Sequence, residues 1–219
     1  MRRSLFLSLA LPFTVLSTNA AAQTCVGMPA FTRNQALQLS GGAAFADGAT
    51  SFGGNLGYGA PKGLYGKAGI GTTSYDPRGS SFDLNLAAGY QLPLQTKRTA
   101  ELCPIANLNL GWGPNDVPVN GVDMSSRTFS FGAATGVIVG RSASVQFVPN
   151  ASLQFANSRL SFDNGPTSVS SSDSYGLLTL GTGFVFSSHF SLNPSISVPM
   201  GLEGGNTVFG LVAAYNFGR

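Results

Sequence analysis

The chain has 219 residues, of which 10% are charged and 43% hydrophobic, with 29 Gly and 16 Phe. Charge lies far below the usual quarter of residues, and Gly is roughly twice as frequent as in average domains. No run of about 20 apolar residues follows the N-terminus, which excludes a transmembrane helix there, and the length suits one domain.

The N-terminal stretch has the pattern of a secretory leader. Arg2 and Arg3 form its basic region, residues 5–16 its apolar region, and Ala20-Ala21-Ala22 its small-residue cleavage site, so cleavage is expected before Gln23. Without Arg2 and Arg3, ten basic residues face nine acidic ones. The balance near neutrality gives no basis for a nucleic-acid partner. Residues 23–34 form a short lead-in that carries Cys25; the other cysteine is Cys103. Two cysteines in an exported chain are expected to pair.

From residue 35 the chain alternates with the strand period of two, successive side chains pointing to opposite faces. The first strand is expected over residues 35–46, followed by the Asp47-Gly48 turn signal. The second covers 51–60, with Phe52, Leu56 and Tyr58 opposite Asn55, and the third 64–73, with Leu64, Ala68 and Ile70 opposite Tyr65 and Lys67. The fourth, 81–92, is the clearest: Phe82, Leu84, Leu86, Ala88, Tyr90 and Leu92 alternate with Ser81, Asp83, Asn85, Gly89 and Gln91.

The fifth covers 102–112, and a long loop is expected over 113–126. The sixth covers 127–139 and the seventh 143–157. A second long loop rich in Ser, Asn and Gly is expected over 159–173, followed by strands at 174–186, 189–198 and 206–217. Pro149 and Pro194 fall inside strands, where each removes a ladder donor, so the pattern leaves open bulges or a hairpin outside the sheet.

Ten strands follow, with eight as the alternative. The apolar face is Leu, Phe, Tyr and Val, and the opposite face is Ser, Asn, Gln and Gly; Lys67 and Asp83 are the clear mid-strand charges, both on the polar phase. A soluble barrel puts its apolar face inward and charge outside. Here charge is nearly absent from both faces, as expected when one meets hydrocarbon and the other lines a lumen. The fold class is therefore all-β, a closed antiparallel transmembrane β-barrel over residues 35–217. Long and short connections alternate through the second half, which puts both termini on the side of the short turns. Cys25 and Cys103 then share that periplasmic side.

The span 35–217, with Tyr215 and Phe217 closing the last strand, resembles the small outer-membrane β-barrel proteins of Gram-negative bacteria, the group that includes OmpA-like and OmpX-like barrels. The resemblance implies an outer-membrane location, surroundings of outer-membrane lipid and lipopolysaccharide, and recognition of Tyr215 and Phe217 by the barrel-assembly machinery. Gly218 and Arg219 follow Phe217, whereas the aromatic is terminal in the usual pattern.

Candidate chemistry is sparse. His189 stands two residues before Ser191 on one expected face, similar to the His-x-Ser pair of outer-membrane lipid A deacylases, and a nucleophilic serine does need a base in reach. The topology, however, puts His189 at the periplasmic end, away from the outer leaflet; a polar rim residue is the plainer reading. Omptin-type proteases also have ten strands, but their site needs a histidine at the outer rim. Asp47, Asp76, Asp116, Asp123, Asp163, Asp173 and Glu203 fall near the outer end, with Arg78, Arg127 and Arg159 among them. Asp116 and Asp123 share a loop, yet no regular metal-ligand spacing accompanies them. Residues 57–63 look superficially like a phosphate loop, but the spacing is wrong and Pro61 intervenes. The glycines on the lumen phase, such as Gly53, Gly57, Gly69 and Gly71, either leave room for water or allow close packing. The expected protein is a barrel without catalytic activity or cofactor, with a structural or surface-interaction role through its outer loops. A narrow pore for small solutes is the alternative, and a lipid-modifying enzyme the third.

Overall fold

The computed structural model describes residues 25, 37–60, 63–76, 79–93, 100–113, 123–139, 145–163, 168–186, 189–202 and 204–217. The leader, most of the lead-in, Arg78, Asp116, Glu203, Gly218 and Arg219 lie outside them. The strands are β1 (Leu37–Ala46), β2 (Ala49–Gly59), β3 (Leu64–Tyr75), β4 (Gly79–Tyr90), β5 (Leu92–Pro93), β6 (Ala100–Trp112), β7 (Asp123–Val137), β8 (Gln146–Asp163), β9 (Ser168–Val185), β10 (Phe190–Met200) and β11 (Val208–Asn216).

All pairings are antiparallel, and β11 returns to β1 with Leu39 opposite Tyr215, so the sheet closes on itself. Leu92 and Pro93 face Leu102 and Glu101. This continues the register in which Gly89 faces Ile105. β4 and β5 are thus one strand interrupted at Gln91, and the barrel has ten strands, as its alternation predicts.

The registers fix the barrel's shape. Partners followed from Leu37 run through Tyr58, Gly66, Ala88, Ala106, Phe131, Phe155 and Gly176 to Met200. The return to β1 passes through Ile196, Phe209 and Phe45. Ile196 lies four residues before Met200 and Phe45 eight after Leu37, a stagger of about twelve residues per circuit. Ten strands with that stagger tilt by about 40°, within the range of membrane barrels.

The two phases fall as the alternation predicts. Leu39, Phe52, Leu56, Ile70, Phe82, Leu86, Phe131, Leu153, Leu180 and Leu211 are exposed on the outer face, while Gln38, Asn55, Lys67, Asp83, Asn85, Asn107 and Gln154 are buried inside. Aromatic rings mark both edges of the apolar band. Phe45, Phe52, Phe82, Trp112, Phe129 and Phe209 lie toward one end, and Tyr58, Tyr90, Phe147, Phe186, Phe190, Tyr215 and Phe217 toward the other. Phe82 and Trp112 stack at 6.1 Å. Two such girdles flanking a hydrocarbon-facing band are the signature of a spanning barrel.

Three expectations are corrected. The loop expected over 159–173 is strand: β8 continues to Asp163 and β9 begins at Ser168, with Arg159 facing Ser172 and Ser161 facing Ser170. Likewise β7 begins at Asp123, which shortens the loop expected over 113–126. The alternation of long and short loops is therefore really an alternation of strand extension, with β7, β8 and β9 overrunning the barrel at one end. Finally, neither inner proline marks a bulge or a detached hairpin. Pro149 faces Thr182 and Pro194 faces Leu211 in unbroken register. The described β9–β10 pairing skips from Leu192 to Ser195, where Pro194 offers no N–H. At that level Asn150 Nδ2 donates to Asn193 Oδ1 at 3.5 Å, passing Gly181, where a Cβ would sit 2.9 Å from Asn150 Oδ1.

The outward placement of Leu86, mid-strand in β4, carries a direct prediction. Leu86→Arg puts a cation into hydrocarbon and lowers unfolding free energy by about 2–4 kcal/mol, read from urea titration of the barrel in lipid vesicles. An unchanged midpoint contradicts lipid contact at this position.

Candidate functional site

The lumen is filled in layers. At the end where β7, β8 and β9 overrun the barrel, Tyr75 from β3, Met124 from β7 and Leu160 from β8 form one buried cluster, with Ala49 of β2 and Phe162 packed against it. β2 and β8 stand five places apart in a ring of ten, so this cluster reaches across the lumen. Beside it Leu202, from the connection after β10, packs against Ala44 and Val208 and against Ala156, Tyr175 and Leu177.

The middle layer is polar and hydrogen-bonded between neighbouring strands. Asn107 Nδ2 donates to Gln154 Oε1 at 2.7 Å, and Ser130 Oγ donates to the same oxygen at 3.0 Å, linking β6, β7 and β8. Ser51 and Thr73 hydroxyls meet at 2.8 Å, and Thr73 Oγ1 donates to Asp83 Oδ2 at 3.2 Å. The lumen-phase glycines of β3 and β4 serve close packing here. A Cβ on Gly69 would strike the Asn55 amide, and one on Gly89 would strike the Tyr65 ring, so each glycine accepts the side chain of its neighbouring strand. Lys67 folds over Gly57 in the same way. Asn55 Oδ1, Asp83 Oδ1 and Asn85 Oδ1 are buried without a protein donor among the described residues; enclosed water satisfies acceptors of this kind.

At the end of the barrel that holds the start of β1 and the end of β11, Cys25 is bonded to Cys103, with Cα atoms 6.4 Å apart. Cys103 is fully buried on the lumen face of β6, and Cys25 joins Tyr65, Ile105 and Ala134 in one cluster. Cys25 therefore lies inside the barrel mouth. Glu101, also buried inside, is a lumen charge that its place at a strand start concealed.

His189 and Ser191 are not brought together. His189 is exposed, stacked on the outward ring of Tyr215 at 5.8 Å, and its Nδ1 lies 3.0 Å from the Asn216 carbonyl. Ser191 is buried in the lumen. The expectation of one shared face fails because the strand begins at Phe190, leaving His189 free to turn onto the rim. Tyr215 and Phe217 lie outside at the closing seam, where the Phe217 N–H donates to the Leu37 carbonyl at 2.8 Å.

The rim at the end of the extended β7, β8 and β9 carries the other charged groups. Asp47, Asp76, Asp123 and Asp163 are exposed and Asp173 is half-buried, and no group of three potential metal ligands forms among the described residues. On the β7–β8 pair Asp123 stands directly opposite Asp163 and Arg127 directly opposite Arg159. The sequence holds both arginines, but only the β7–β8 register shows that they face each other. A recess of about 350 Å³ lies at this point, lined by Trp112, Ser125, Arg127, Arg159 and Ser161 among others.

The structure defines a closed, up-and-down β-barrel of the transmembrane class. No protein-family model matches the chain, and no curated protein matches it. Among solved structures it is similar to the translocator domain of the autotransporter NalP from Neisseria meningitidis, with a TM-score of 0.53 and 11% identity over 94% of this chain and 91% of that one. It is also similar to the N-terminal β-barrel domain of Pseudomonas aeruginosa OprF (TM-score 0.40, 15% identity, 84% and 98% covered). A third is Ail, the attachment invasion locus protein of Yersinia pestis (TM-score 0.42, 14% identity, 84% and 99% covered). The expected resemblance to outer-membrane barrels thus holds as one of fold.

The disulfide closes a span of 78 residues. Cys25→Ser is expected to lower stability by about 2–4 kcal/mol, seen as a lower urea midpoint under oxidising conditions that reductant abolishes. Equal midpoints for the two proteins would show that the bond does not restrain the barrel.

Proposed function

We propose that this protein works in the bacterial outer membrane as a non-enzymatic, non-conducting barrel whose projecting β7–β8–β9 rim is an interaction surface. The observation that carries this reading is the pair of buried clusters at the two ends of the lumen, one around Tyr75, Met124 and Leu160 and the other around Cys25 and Cys103. A conducting pore needs a continuous wet path; here a buried apolar cluster stands at each end of the polar middle layer, with Gln38, Glu101 and Asn216 also buried at the end that holds Cys25. The wall grows where the lumen closes. β8 and β9 have 18 residues each, against the 9–11 that span a bilayer, so the excess stands in water. Its outward residues include Asn157, Arg159 and Asp163 on β8 and Ser168, Ser170, Ser172 and Ser174 on β9, all exposed. A polar strand pair raised above a membrane offers edge hydroxyls and charge to a partner without opening the barrel. With the rim outward, Tyr215 and Phe217 sit at the periplasmic edge, where the assembly machinery would meet them.

Two measurements test this. Planar-bilayer recording of folded, oxidised protein is expected to show no steady conductance; reproducible open channels would favour the narrow pore. Ser171→Cys, on the exposed part of β9, is expected to react with a membrane-impermeant maleimide in intact cells. Labelling only after permeabilisation would invert the barrel and remove the surface reading.

A further inference from the structure

Arg127 and Arg159 form a pair that the fold alone does not explain. They are exposed and directly opposite each other on neighbouring strands, an arrangement that repels when nothing lies between the charges. The facing acids Asp123 and Asp163 are four residues further along each strand, about 13 Å away at the strand rise. The local charge is therefore positive, on the outer face of the wall.

The level of the pair is informative. Below it the outward residues are Phe129 and Phe131 on β7 and Leu153 and Phe155 on β8, all exposed apolar side chains. Above it they are Ser125 and Asp123 on β7 and Ser161 and Asp163 on β8. The change from apolar to polar falls at Arg127 on β7 and at Asn157 and Arg159 on β8, so the guanidinium groups sit in the first polar rows above the hydrocarbon band. Trp112, the ring closest in register, faces Ser125 and is 48% exposed, as an interfacial aromatic should be. Arg159 is oriented by a hydrogen bond from Nη2 to Ser170 Oγ at 3.0 Å. Arg127, Arg159, Ser125, Ser161 and Trp112 share the recess at the rim.

We infer that this recess is a binding site for a phosphate of an outer-leaflet lipid headgroup, the diphosphorylated glucosamine disaccharide of lipid A. A phosphate between the guanidinium groups turns their repulsion into charge-assisted, fork-geometry hydrogen bonds. The hydroxyls of Ser125 and Ser161 add neutral donors, and the acyl chains descend along the phenylalanine band immediately below. A free phosphate gains none of the acyl contact, which is why the lipid is the ligand that fits. The site rests on the outer-membrane reading above, with the rim in the outer leaflet, but not on the barrel's being closed.

The test uses the full-length, oxidised barrel in detergent, with purified diphosphoryl lipid A as probe and native mass spectrometry as readout. Wild type is expected to retain lipid A, and the double variant Arg127→Gln/Arg159→Gln to bind it about tenfold more weakly or worse. Arg127→Lys, which keeps the charge but loses the planar fork, should fall between them. Fully dephosphorylated lipid A should bind wild type no better than the double variant binds the phosphorylated form, and millimolar pyrophosphate should not displace the lipid. In the absence of lipid A, the double variant should be at least as heat-resistant as wild type, because it lacks the opposed charges; this keeps the test meaningful against misfolding. Equal retention of phosphorylated and dephosphorylated lipid, equal retention by the double variant, or full displacement by pyrophosphate would each overturn the site. These outcomes are independent of the conductance record: a conducting barrel that still held lipid A would lose only the closed-lumen reading.

Discussion

The hydrogen bonds between β1 and β11 are what the rest of the structure depends on. In hydrocarbon no water satisfies an exposed N–H or C=O, so a sheet that spans a membrane must have no edge. The seam from Gln38 opposite Asn216 to Phe45 opposite Phe209 removes the last edge. Its terminal link runs from the Phe217 N–H to the Leu37 carbonyl. Closure at a stagger of about twelve residues then sets tilt and width, and width decides how much side chain the lumen must hold. Across the seam Gln38 Nε2 donates to Asn216 Oδ1 at 3.1 Å inside, while Tyr215 and Phe217 pack edge to face outside at 5.1 Å.

The lumen follows from that width. A barrel of ten strands is wider than the eight-stranded kind that side chains alone just fill. This chain makes up the difference in two ways. Long polar groups such as Gln154 and Asn107 reach across to other strands, and apolar side chains, with Cys25 at one end, cluster at the ends. Glycines keep the middle dense, because Tyr65 and Asn55 each lie against a glycine on the adjacent strand. The result is a densely packed polar middle that holds buried acceptors such as Asn55 Oδ1 and Asn85 Oδ1.

Much of this was legible in the sequence, because hydrocarbon on one side and a wet or packed interior on the other enforce the same two-residue rhythm on every strand. The phases, the strand number and the lumen placement of Lys67 and Asp83 follow from that rhythm, while the pairing of Cys25 with Cys103 was legible from the presence of two cysteines behind a leader-like segment. The rhythm stops carrying information where the membrane stops. Beyond Phe155 the outward positions become Asn157, Arg159 and Ser161, while Leu160 and Phe162 turn inward, so the apolar phase switches faces although the backbone stays extended. Residues 159–173 then look like a loop. The opposition of Arg127 and Arg159 is invisible for a related reason: it depends on the β7–β8 register, which hydrophobic alternation fixes only to within two residues. His189 escaped because a residue just outside a strand owes no allegiance to its phases.

The protein's one tryptophan is placed to test the central claim, that the apolar face meets lipid and the barrel ends where the polar rim begins. Folded into vesicles, Trp112 should be quenched strongly by a nitroxide carried near the lipid headgroup, weakly by one at the acyl-chain terminus, and little by aqueous iodide. Strong quenching by iodide with no effect of either lipid-borne nitroxide would place that ring in water and contradict the account.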